Sequence, residues 1–89
     1  MWESVHDLSR EMLSLAEAGD FQQLGLLDAE RRRALFLIAS TRAQSLSPAL
    51  AAELADLQTR IVALAEQQAR AEAIAAAKAR QAAEFMPSA

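Results

Sequence analysis

His6 is the only histidine of the chain, and there is no cysteine. A general base, a nucleophile or a soft metal site therefore has almost nothing to be built from. His6 falls at the edge of an apolar helical stripe, where a ring packed at a boundary is the expected role. The carboxylates offer no better start. Asp28 and Glu30 are two positions apart, so on a helix they face different ways and make no glycosidase-like dyad. Ser45 and Ser47 stand just before Pro48 as capping residues, with no base in sequence reach. The two glycines, Gly19 and Gly25, form no loop that would cradle a phosphate. What remains is the run Arg31-Arg32-Arg33 beside Glu30. It reads either as a solvated helix face with local ion pairs or as an arginine patch gripping a partner's acidic residues. The expectation is a chain that is not an enzyme and uses neither cofactor nor metal.

Composition narrows the remaining classes. Over 89 residues the chain is 53% hydrophobic and 24% charged, and Ala, Leu, Glu, Gln and Arg dominate. These are strong helix formers, while β-branched residues are scarce and nowhere alternate, so the fold class is all-α. The net charge is -3 and the basic residues form no long stripe, which argues against direct nucleic-acid binding. Met1-Trp2-Glu3-Ser4 is unlike the basic-then-apolar start of a signal peptide, and the apolar run Ala34 to Ala39 is far too short to span a bilayer. A single soluble, cytoplasmic domain over residues 1–89, without membrane insertion, is expected.

Three helices must position whatever binds. The first, at about residues 2–18, places Trp2, Val5, Leu8, Met12, Leu15 and Ala16 on one face, with Leu13 at its edge. Gly19 can take the left-handed conformation that ends it, and Asp20 can cap the second helix, with Gln23 completing a capping-box pattern. The second helix, at about 21–43, carries Leu24, Leu27, Ala34, Leu35 and Ile38 on its main arc, flanked by Phe21, Phe36 and Ala39. Arg31 falls inside that arc, where it must run along its apolar stem or find a carboxylate. Ser47 and Pro48 begin the third helix, at about 48–85. Its residues Leu50, Leu54, Leu57, Ile61 and Leu64 make a strict heptad seam, which continues as Gln68, Ala71, Ala75, Lys78, Ala82 and Phe85, with Phe85 the only large apolar residue to return.

Lengths then set the architecture. At about 1.5 Å per residue the helices span about 25, 35 and 57 Å. The expectation is an antiparallel three-helix bundle whose long third helix runs back along the second, passes the Gly19-Asp20 turn near residue 71, and overhangs for about 15 residues. Leu26 and Leu37 lie opposite the main arc of the second helix, three turns apart, with Glu30 and Arg33 between them. They are surface leucines, core against a second neighbour, or anchors for a partner helix. Ile74 and Phe85 pose the same choice on the overhang. The candidate partner-binding residues are Leu26, Leu37, Arg33, Val62, Ile74 and Phe85.

The first half also resembles a known family. Leu8-Ser9, Glu11-Met12-Leu13, Leu15-Ala16, Gly19-Asp20, Phe21, Leu24, Leu27, Glu30-Arg31 and Leu35 follow the order found at the start of the FliT family of flagellar export chaperones. The resemblance implies a cytoplasmic all-α chaperone of type III flagellar export that binds the C-terminal segment of the filament cap protein FliD. Some members also bind components of the export ATPase complex or the transcription regulator FlhDC, and a homodimer is a further expectation. Better-known members shield the client surface with a short fourth helix, for which this chain has neither turn nor residues. The aromatic after Gly-Asp, often tryptophan in the family, is Phe21 here. The competing expectation is a structural coiled-coil oligomerisation module with no client. Such a module would keep large residues at the seam positions through Ala71, Ala75 and Ala82, and this chain gives them up after Leu64.

Overall fold

The computed structural model describes residues 1–41 and 45–85. Helix α1 covers Trp2–Glu17, α2 covers Phe21–Ser40 and α3 covers Pro48–Phe85, with no strand among the described residues. The all-α expectation holds, with three helices at the expected places.

The α1–α2 joint is built from backbone chemistry. Gly19 sits at φ 78 and its N–H donates to Ala16 O at 3.1 Å, while the Asp20 N–H donates to Leu15 O at 2.8 Å. This pair of bonds is the Schellman arrangement, which satisfies two orphan carbonyls of α1. Asp20 then caps α2, accepting from the Gln23 N–H at 3.2 Å. Only half of the expected capping box forms. The Asp20 N–H, which the Gln23 side chain would have taken, is already committed to Leu15. At the start of α3, Ser47 rather than Ser45 holds the cap position, its hydroxyl accepting from the Leu50 N–H at 3.2 Å, and Pro48 takes the first helical position.

Helix α2 stops sooner than its periodicity implies. Thr41 is extended (φ -106, ψ 115), and its hydroxyl donates back to Leu37 O at 2.9 Å. A β-branched residue bonded in this way covers a terminal carbonyl without continuing the helix. The rest of the expected extension, Arg42 and Ala43, lies outside the described residues.

The packing corrects the expected arrangement. Both α2 and α3 lie against α1, and α3 meets α2 only marginally. His6 pairs with Glu53, and Arg10 shares a surface pocket with Leu57, so residue numbers rise together and α3 runs parallel to α1. The core is correspondingly a stripe on α1: Val5, Ser9, Met12 and Ala16 are buried at alternating spacings of four and three. Ile61 meets it from α3 and Ile38 from α2. Met12, 1% exposed, is the largest fully buried side chain. The heptad seam of α3 is this contact: Leu50, Leu54, Leu57 and Leu64 are half-buried around Ile61. Periodicity identifies a face that must be buried; it does not say which neighbour buries it.

That substitution of neighbours lengthens the overhang. Helix α1 is only 16 residues long, and Ala65 is the last residue of α3 that is not exposed. All of residues 66–85 are exposed, so the free end begins about five residues earlier than the expected residue 71. It adds about 30 Å of unaccompanied helix. The molecule measures 68 × 21 × 17 Å with a radius of gyration of 18.6 Å, against about 12 Å for a compact chain of this length.

Candidate partner-binding surface

Arg31 explains how α2 tolerates a charge in its apolar arc. Its side chain is 13% exposed, and Nη2 meets Asp28 Oδ1 at 2.9 Å. Nη1 donates to Gln58 Oε1 on α3 at 2.7 Å and reaches Ser9 Oγ on α1 at 3.5 Å. The expected carboxylate is therefore Asp28, one turn back on the same helix. The result is a polar node joining all three helices, and it supplies the hydrogen-bonded link between α2 and α3. Asp28 Oδ2 also takes the Nε of Arg32 at 2.9 Å. Two of the three clustered arginines are thus occupied within the chain, in keeping with the local-ion-pair reading. Arg33 is in no ion pair among the described residues.

Above this node lies an open groove of about 460 Å³ between α2 and α3, with α1 as its floor. Val5, Leu35, Leu54 and Ala55 make it apolar, while Trp2 and Arg31 also line it. Trp2 Nε1 and Arg31 Nε are buried donors with no acceptor among the described residues. The groove lies where α2 and α3 make little contact, and Leu35, expected in the core, lines it instead.

The outer face of α2 carries more apolar surface than the α1 contact can use. Leu26 is 60% and Leu37 51% exposed, which excludes the core role for both. Glu30 and Arg33 lie exposed between them, as the helical spacing requires. Phe36, expected at the flank of the packed arc, is 70% exposed instead. Helix α2 packs on α1, and among the described residues nothing covers Phe36 on its other side. Phe36 is the residue that sequence reasoning missed; its signal was a position on the helical wheel about 160° from Ile38 and about 120° from Leu24.

The six candidate residues fall in three places. Leu26, Arg33 and Leu37 share the outer face of α2. Val62 is exposed one turn beyond Gln58, on the side of α3 nearer the groove. Ile74 and Phe85, the latter 84% exposed, share a face of the free end. They are separate surfaces, and no one patch contains them all.

Comparison with protein-family models, curated proteins and solved structures finds no match to this chain. His6 is half-buried and its Nε2 lies 2.9 Å from Glu53 Oε2, tying α1 to α3. Among the described residues no group of three acidic, histidine or cysteine side chains gathers as a metal site, and no helix is long and apolar enough to cross a membrane.

Proposed function

We propose that this chain is a helical binding protein that covers an aggregation-prone apolar segment of a client, acting as an export chaperone of the FliT type. In this reading the client is the C-terminal segment of the flagellar cap protein FliD, and the chaperone works in the cytoplasm without catalysis or cofactor. Contacts with export ATPase components or with FlhDC, coupling assembly to gene expression, belong to the same reading. The observation that carries it is the outer face of α2. Leu26 and Leu37 stand exposed three turns apart on a helix whose other side is core. Two large apolar anchors at that spacing, with Glu30 and Arg33 between, suit an amphipathic helix laid along the face. The sequence resemblance in the first half of the chain supplies the identity of the client.

A titration calorimetry experiment with a FliD C-terminal peptide tests this directly. The reading requires saturable binding that Leu26→Glu with Leu37→Glu weakens by about a hundredfold or more, equivalent to about 2.7 kcal/mol. No binding by the unmodified chain, or binding indifferent to the double substitution, rejects the FliD reading or the α2 face respectively. The second reading, a self-associating module, rests on residues 66–85, which are all exposed among the described residues.

A further inference from the structure

Two unpartnered faces of this chain repeat one another. On α2, Leu26, Glu30, Arg33 and Leu37 follow at i, i+4, i+7 and i+11. On the free end of α3, Ile74, Lys78, Gln81 and Phe85 follow at the same intervals. All eight residues are exposed, and among the described residues neither Glu30 nor Lys78 is in an ion pair. Each set is a polar pair between two large apolar ends. Laid side by side in parallel, Ile74 meets Leu26, Phe85 meets Leu37, Lys78 meets Glu30, and the Gln81 amide meets Arg33. Laid antiparallel, the apolar ends still match but Lys78 meets Arg33. Charge therefore selects the parallel pairing.

We propose that the free end of α3 docks, in parallel, along the outer face of α2 in a second copy of this chain. It cannot reach its own α2. Helix α3 runs unbroken from Pro48 to Phe85, and its last residues lead away from the body. The lengths agree, since α2 has 20 residues and the exposed stretch 66–85 has the same number. In the register that seats Ile74 on Leu26, residue 69 falls opposite Phe21 and Phe85 opposite Leu37. That overlap is about 25 Å long. Within one chain α2 and α3 run in opposite directions, so two copies related by a two-fold axis each lend a free end and each offer an α2. The contact then closes on itself instead of extending into a fibre. One such helix pair is small beside the roughly 1,600 Å² of a standard interface, and reciprocity doubles it. This dimer does not rest on the client reading. It describes the free protein, and it makes a second copy the cover of a face that a client would have to claim.

Sedimentation equilibrium of the full chain, with circular dichroism to confirm helicity, tests it. The expected result is a monomer–dimer equilibrium that Glu30→Lys or Lys78→Glu each weakens about tenfold, through the two symmetric ion pairs, and that the double reversal restores. The absence of cysteine permits a second readout. Under mild oxidation, L26C/I74C should give an interchain disulfide and L37C/I74C should not. A monomer up to roughly 1 mM, the weak limit of measurable association, overturns the proposal. So does a dimer indifferent to both charge reversals, or preferential cross-linking between positions 37 and 74.

Discussion

The two halves of α3 make the instructive comparison. Residues 48–65 and 66–85 belong to one continuous helix, yet different forces hold them. The first half has Leu50, Leu54, Leu57, Ile61 and Leu64 against α1, and its helicity follows from tertiary packing. The second half has alanine at nine of its twenty positions and is exposed throughout, uncovered by any other described residue; intrinsic propensity and the continuity of the helix keep it in register. Local preference is enough to make a helix continue, and only burial gives it a place. Surface left over from such a helix is available to another molecule.

Paired isoleucine truncations sharpen this contrast most. Ile61→Ala should cost about 2–5 kcal/mol in urea unfolding, because it empties a buried site where α3 packs on α1. Ile74→Ala at dilute monomer concentration should cost less than about 0.5 kcal/mol. Equal losses would mean that the free end folds onto the body in solution.

The polar node comes next. Arg31→Ala removes the partner of Asp28 Oδ1, leaving that carboxylate with Arg32 alone, and breaks the links to Ser9 and Gln58; it should destabilise by about 1–3 kcal/mol, read by the same unfolding titration. Gln58→Ala removes only the link from α2 to α3 and should cost about 1 kcal/mol. A larger loss from Gln58 than from Arg31 would show that α3 leans on α2 more than on α1.

Gly19→Ala probes the hinge between the halves of the hairpin. A Cβ there meets nothing within 4 Å, so the whole effect is the backbone strain of φ +78. About 1 kcal/mol is expected from the shift in thermal midpoint. A neutral result would place Gly19 outside the left-handed region in solution. The smallest structural effect is kinetic. In dilute protein the amides of residues 66–85 should exchange orders of magnitude faster than those of Val5 to Ala16, and slow as a client or a second copy is added.

Much of this architecture was legible before any coordinates. Gly19-Asp20 announced the tight joint because few residue pairs can both end one helix and cap the next. The heptad run from Leu50 to Leu64 announced a buried seam, and the misplaced charge of Arg31 announced a polar contact. What stayed hidden was partnership. Nothing in the spacing of Leu50 or Ile61 distinguishes α1 from α2 as the neighbour, and that choice decides whether Leu35 and Phe36 are packed or exposed. At the candidate surface, Leu26 and Leu37 were legible as out of phase with the core, whereas Phe36 looked like the flank of a packed arc. Ile74 and Phe85 were legible as sharing one face from their i, i+11 spacing, and Val62 as lying on another.

The measurement closest to the central claim is the double substitution Leu26→Glu with Leu37→Glu, assayed for unfolding free energy and for binding of the FliD C-terminal peptide on the same preparation. Stability within about 1 kcal/mol of the unmodified chain, together with loss of peptide binding, is the predicted result. An unfolded variant, or a folded one that still binds the peptide with unchanged affinity, would contradict the assignment of this face to a partner.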